Sequence, residues 1–269
     1  MIKTTYSATQ PLKALPLVVL NRLFTAILCL FLYACTHAQT AKPVVTGQQA
    51  QTFSHQVTKI VAAHYLLYLP QDYNQDSKQR WPLIIFLHGS GERGDDLSKV
   101  KIHGVPKIVD KHIEAKQNFP FIVVSPQVPV DADWNIDMLD ALLDDLLAKL
   151  PIDPDRVYLT GLSLGGHATW RWASQRPERF AAIAPVCGAG ARSFACHLTH
   201  VPVWAFHGDQ DSVVPYIASD SMVKAVQACG GNAQLTTYIG GGHDAWTETY
   251  DNQKLYDWFL QHKRFAPKK

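Results

Sequence analysis

Apolar runs alternating with amphipathic stretches organise the chain from about residue 80 to its end. Trp81-Pro82-Leu83-Ile84-Ile85-Phe86-Leu87 is continuous and apolar, the signature of a strand buried on both faces of a parallel sheet. Residues 119–124 repeat it and end at Ser125-Pro126. Over 136–150, Met138, Leu139, Leu142, Leu143, Leu146 and Leu147 recur at helical spacing, with acids on the opposite face. Pro151 and Pro154 stop that helix. A strand ending at Gly161 and a helix reaching about Gln175 follow. Further strands are predicted over 180–186, 201–206 and 233–239, and helices over about 216–228 and 251–263. Ahead of all these, residues 53–70 cluster and alternate Val57, Ile60, Val61, Tyr65, Leu67, Tyr68 and Leu69, as early antiparallel strands do.

Strands alternating with helices over this length predict a doubly wound α/β domain over 53–269, a mostly parallel sheet with helices on both faces. Only residues 188–202 separate two of its later strands, so no large cap is expected there and the site should be open.

The amino end reads differently. Residues 1–35 hold Lys3, Lys13 and Arg22, no acid, and an apolar run of twelve from Leu23 to Ala34, which predicts a signal peptide. Leu32-Tyr33-Ala34-Cys35 resembles a bacterial lipobox, implying lipidation of Cys35 and membrane attachment, whereas Thr36-His37-Ala38 offers an ordinary signal-peptidase site. The expected protein is exported, whether periplasmic, anchored to the outer membrane or secreted, with a polar tether over 36–52. Beyond the leader remain Cys187, Cys196 and Cys229. An oxidising compartment permits one disulfide; Cys187–Cys196 would close a short loop, and one thiol is left over. The formal charge of +2 argues against nucleic acid as a partner. No paired Cys or His spacing suggests a metal.

The chemistry centres on Gly161-Leu162-Ser163-Leu164-Gly165, which matches a G-x-S-x-G nucleophile elbow between a strand and a helix. Side chains two residues either side of Ser163 would crowd such a turn. A serine hydroxyl needs a base, and the base needs an acid to fix its tautomer. Those partners should follow later strands, in the order acid then histidine. His207-Gly208-Asp209-Gln210-Asp211 follows one such strand, and Gly240-Gly241-Gly242-His243 follows the last. His243 is the candidate base; Asp209 and Asp211 compete as the acid. His88 and His207 are read as structural. Two backbone N–H groups should form an oxyanion hole, from Leu164 and from Ser90 in the glycine-rich loop after residue 87. Trp134, His167 and Trp246 are candidate pocket residues, and Glu92 with Arg93 a pair bracing the loop.

From about residue 60 to 263 the chain resembles α/β-hydrolase serine esterases of the feruloyl and acetylxylan esterase type, and bacterial phospholipase/carboxylesterase-like proteins also classed as predicted peptidases. The matching stretches are Leu87-His88-Gly89-Ser90-Gly91-Glu92-Arg93-Gly94, Ser125-Pro126-Gln127, Asp153-Pro154-Asp155-Arg156-Val157-Tyr158-Leu159-Thr160-Gly161-Leu162-Ser163 and His243-Asp244-Ala245-Trp246. The resemblance implies an eight-stranded type of sheet, makes Asp211 the triad acid and Asp209 a solvated residue, and implies hydrolysis of short-chain or carbohydrate-linked acyl esters without a cofactor. A peptidase on the same triad and a binding module without catalysis are the competing readings.

Overall fold

All seven residues of the run Trp81–Leu87 are buried, and strand alternation decides which way each points. Leu83, Ile85 and Leu87 join one apolar cluster, Ile84 and Phe86 the other. This is strand β2; the computed structural model in which it lies describes residues 48, 50, 52–56, 58–74 and 78–264. The other strands are β1 (His64–Tyr68), β3 (Ile122–Gln127), β4 (Ile152–Leu162), β5 (Ala182–Val186), β6 (Val203–Gly208) and β7 (Ala233–Tyr238). They form one sheet in the order β1-β3-β2-β4-β5-β6-β7. The β1–β3 pair is antiparallel and every other pair is parallel. The expected sheet is therefore present, with seven strands among the described residues.

Among the described residues, six helices cover its faces. These are α1 (Gly104–Glu114), α2 (Ile136–Lys149), α3 (Leu164–Gln175), α4 (Ile217–Ala228), α5 (Trp246–Asp251) and α6 (Gln253–Leu260). Leu139, Leu143 and Leu146 of α2, Trp170 and Trp172 of α3, and Met222, Val223 and Val226 of α4 build the first cluster. Val105, Ile108 and Val109 of α1, Tyr250 of α5, and Leu255, Tyr256 and Phe259 of α6 build the second. The boundaries of α2 follow local chemistry. The Asn135 side chain accepts from the Met138 N–H at 3.1 Å, and Leu150, forced extended by Pro151, ends the helix.

The topology places the site. From β2 the chain steps to β3 on one side, then crosses back to β4 on the other, so the carboxyl ends of β2 and β4 face a switch point. The Ser90 loop leaves β2 there and the Ser163 turn leaves β4.

Several expectations need correction. Of the early strands expected over 53–70, only β1 forms among the described residues. Helix α1 was not anticipated. Pro106 lies in the first turn, where a missing N–H costs nothing. The helix expected over about 251–263 is α6, shorter at both ends and capped by Asn252, which accepts from the Lys254 N–H at 3.1 Å; α5, just before it, was not anticipated. The disulfide joins Cys196 to Cys229, their Cα atoms 5.1 Å apart, and leaves Cys187 buried as a free thiol. Cys187 cannot reach Cys196 because it ends β5 inside the second cluster. The expected leader over 1–35 with Cys35, and the tether over 36–52 except residues 48, 50 and 52, lie outside the described residues. By their contacts, residues up to Val57 form one unit and those from Thr58 onward another. In the first, the rings of Phe53 and His55 stack 6.2 Å apart.

Cross-linking residues 33 apart restricts the unfolded chain, which is worth about 2–4 kcal/mol. Replacing Cys196 and Cys229 together by serine is expected to lower the thermal midpoint by roughly 5–15 °C. Calorimetry with and without reductant checks it; identical melts would mean that the bond contributes nothing.

Candidate active site

Ser163 stands between β4 and α3 with φ 51° and ψ −112°, a left-handed conformation that a serine adopts only under constraint. Two backbone contacts impose it. The Ser163 N–H donates to the Val186 carbonyl at 3.0 Å, and its carbonyl accepts from the His167 N–H at 2.9 Å. The hydroxyl is thereby presented at the carboxyl end of the sheet. Its Oγ lies 2.9 Å from Nε2 of His243, whose Nδ1 lies 2.7 Å from Oδ2 of Asp211.

Asp211 is buried, yet it is well satisfied. Its other oxygen accepts from the N–H groups of Val213 and Val214 at 2.8 and 2.9 Å. Burial pushes the carboxyl up, but the bonds from His243, Val214 and Val213 outweigh it and hold Asp211 below the usual carboxylate range. An ionised Asp211 accepts the Nδ1–H of His243, which leaves Nε2 free to accept from the serine hydroxyl. Asp209, expected to be solvated, is partly exposed and also accepts from the Gly240 N–H at 2.7 Å, bracing the loop that carries His243.

The loop after β2 faces this group. Ser90 and Leu164 each open a helical turn, so neither N–H has a partner within its own helix. Two side chains hold the loop. Nε2 of Gln127 donates to the carbonyls of Glu92 and Asp96 at 2.7 and 2.9 Å. Burial lowers the pKa of His88 to about 4, so the ring is neutral; Nδ1 donates to the Gly89 carbonyl at 2.6 Å and Nε2 accepts from the Val128 N–H at 3.1 Å. His207, expected to be structural, contacts Ser219 Oγ at 2.8 Å and the Val214 carbonyl at 2.9 Å, and its Nε2 also lies 3.2 Å from Oδ2 of Asp211.

Three expectations about the surroundings change. Trp134 is not a pocket wall: it is 3% exposed, packs on His88 and donates from Nε1 to the His88 carbonyl at 3.3 Å. Glu92 does not pair with Arg93; its carboxylate lies 3.8 Å from His103 Nε2. That histidine was not anticipated, and it packs on Trp246, which in turn meets His243 edge-on at 5.3 Å. Trp246 therefore buttresses the imidazole, while His167 lines an open cavity together with Arg171 and Phe194, which the sequence reading passed over. Helical spacing from Ser163 was the available signal, since Leu164, His167 and Arg171 share one face of α3.

Comparison with known proteins bears on the family and the fold. The family model described as Phospholipase/Carboxylesterase matches residues 114–255. The chain is 27% identical over 197 residues to a protein named probable feruloyl esterase C in Aspergillus oryzae, covering 70% of this chain and 69% of that one. It is 31% identical over 94 residues to the bifunctional acetylxylan esterase/xylanase XynS20E of Neocallimastix patriciarum, covering 35% of this chain and 13% of that one. A solved structure of a thermostable esterase superposes with a TM-score of 0.63 at 31% identity, covering 74% of this chain and 59% of that one. Against the last two, this chain spans less than two thirds of the relative's length.

Proposed function

The chain belongs to the phospholipase/carboxylesterase family of α/β-hydrolases, and from that premise we propose that it is an exported serine hydrolase cleaving carboxylic esters through Ser163, His243 and Asp211. The carrying observation is the unbroken contact series from Asp211 Oδ2 through the His243 ring to Ser163 Oγ, at 2.7 and 2.9 Å.

The chemistry follows from those contacts. His243 Nε2 takes the proton of Ser163 as Oγ attacks the ester carbonyl. The imidazolium that forms is stabilised by the ionised Asp211, which stays unprotonated. Negative charge gathers on the carbonyl oxygen, where the N–H groups of Leu164 and Ser90 donate to it; one such donor is worth about 10²–10³ in rate. His243 then gives its proton to the leaving alcohol, and a water activated by the same imidazole releases the acid from the acyl-serine. No step calls on a cofactor.

Export is proposed from the leader pattern over 1–35, and the Cys196–Cys229 bond suits an oxidising compartment. Lipidation at Cys35 would attach the protein to a membrane. Short-chain or carbohydrate-linked acyl esters are the proposed substrates, in keeping with the names of the relatives.

A panel of p-nitrophenyl acetate, butyrate and octanoate beside a peptide p-nitroanilide tests the reading. Hydrolysis of the p-nitrophenyl esters, with stoichiometric capture of Ser163 by an organophosphonate, is expected. Turnover of the anilide alone would replace the esterase reading by an amidase one. No turnover and no capture would leave a binding module.

A further inference from the structure

The acid of the proposed triad has a second histidine against it. Oδ2 of Asp211, which meets His243 Nδ1 at 2.7 Å, also lies 3.2 Å from Nε2 of His207 at the end of β6. The side chains of Asp211 and His207 are both fully enclosed. With the Val213 and Val214 N–H groups on its other oxygen, the carboxylate is surrounded by four nitrogens.

Hydrogen-bond accounting fixes the His207 ring. Nε2 faces the Val214 carbonyl at 2.9 Å and the Asp211 carboxylate, which only accept, so Nε2 carries a proton. Ser219 Oγ of α4 can donate to Nδ1 at 2.8 Å or to the Gly188 carbonyl at 3.1 Å; the nearer acceptor takes its proton. The ring therefore holds one proton, between Val214 and Asp211. Its shorter contact is to Val214, and toward Oδ2 it presents the positive end of an N–H dipole.

That placement acts on the triad in two ways. His207 holds the carbonyl of Val214 while Asp211 holds its N–H, so the carboxylate cannot turn from His243 without pulling that residue out of the clamp. Positive potential beside Oδ2 also offsets part of the charge that stabilises the His243 imidazolium. The imidazolium is held less tightly, and the ring stands ready to accept the proton of Ser163.

We propose that His207 is a positioning residue of this site: its Nε2–H aims the Asp211 carboxylate at His243 and moderates how tightly that carboxylate holds the His243 imidazolium. The inference rests on the triad reading and adds a fourth side chain to it. The other ionisable groups around Asp211 and His243 are His167 on α3, Cys187 at the end of β5, Asp209 on the Gly240 N–H, Asp244 turned to Thr247, and His103 beyond Trp246. Tyr216 meets the His207 ring edge-on at 6.0 Å. A substitution at His207 alters the identity of none of them.

The test follows kcat/KM for p-nitrophenyl acetate against pH, whose acid limb reports protonation of the free enzyme's base. An asparagine amide reaches the place of imidazole Nδ1, and a glutamine amide the place of Nε2. His207→Asn therefore removes the donor beside Asp211, and His207→Gln keeps it. In His207→Asn the acid limb should move up by about 0.5–1 pH unit, because a carboxylate with one donor fewer holds the imidazolium more firmly. Its kcat should fall about five- to tenfold, with KM little changed. His207→Gln should return the limb to the parental position and recover most of kcat. A purely structural histidine would lower the melting temperature of both variants and leave the limb where it was; that result in folded His207→Asn overturns the proposal. Proton NMR of the parental protein decides the matter should His207→Asn fail to fold. The His207 Nε2–H resonance, identified by its loss in His207→Gln, should move as His243 titrates, and a stationary resonance overturns the proposal. Absence of Ser163-dependent hydrolysis of every ester overturns the triad reading and this inference together.

Discussion

Replacing Ser163 by alanine is expected to lower ester turnover by about 10⁵- to 10⁶-fold while leaving the protein folded. The residues of a triad act as a unit, so loss of the nucleophile leaves His243 and Asp211 with nothing to activate. The fold should survive because alanine keeps the Cβ, and the two backbone bonds that hold the turn remain. Glycine at the same position should behave differently. It adopts φ 51° without the penalty a Cβ brings, so Ser163→Gly should be inactive yet melt above Ser163→Ala. Kinetics on p-nitrophenyl acetate and thermal melts of the three proteins check both statements. Turnover of Ser163→Ala within a hundredfold of the parent would remove Ser163 as the nucleophile.

A single methyl group at Gly165 is expected to be nearly as damaging, through the fold. An alanine Cβ there would overlap the Leu87 carbonyl oxygen, stand 2.5 Å from its carbon and 2.7 Å from the His88 carbonyl oxygen. All three are backbone atoms at the end of β2, and no rotamer can relieve the clash. On an open helix, glycine to alanine gains about 1 kcal/mol; here α3 must instead move off the sheet, at a cost of about 3 kcal/mol or more. That shift would also separate the Leu164 N–H from the Ser90 loop. Denaturant midpoints and activity should therefore fall together in Gly165→Ala. Parental stability in that variant would show that α3 does not press on β2 as closely as the structure has it.

These two residues also mark where the sequence was informative. Gly161, Ser163 and Gly165 were legible because a tight strand-to-helix turn accepts so few side chains, and a Cβ at Gly161 would also strike backbone. The buried strands were legible for a related reason: a strand covered on both faces has no polar positions to blur it. Asp211 and Asp209 were not separable by spacing alone, since both follow β6. The backbone decides, turning the N–H groups of Val213 and Val214 toward one carboxylate and the Gly240 N–H toward the other. Trp134 and Trp246 were equivalent as letters; only packing puts the first under His88 and the second against His243. The disulfide depends on which elements adjoin in space, and the turn at residues 192–198 reaches the end of α4 rather than β5. His167 lay in plain view, but its tautomer is set by Ala189, twenty-two residues away.

Cys187 gives the molecule a built-in reporter. Its thiol is wholly enclosed, and burial pushes its pKa far above the ordinary cysteine range. A thiol in that position neither ionises nor meets a reagent while β5 stays paired with β4 and β6. Alkylation of Cys187 therefore waits on separation of the central strands. Its rate counts the openings of the sheet beneath the nucleophile, and mass spectrometry of the alkylated thiol reads that frequency.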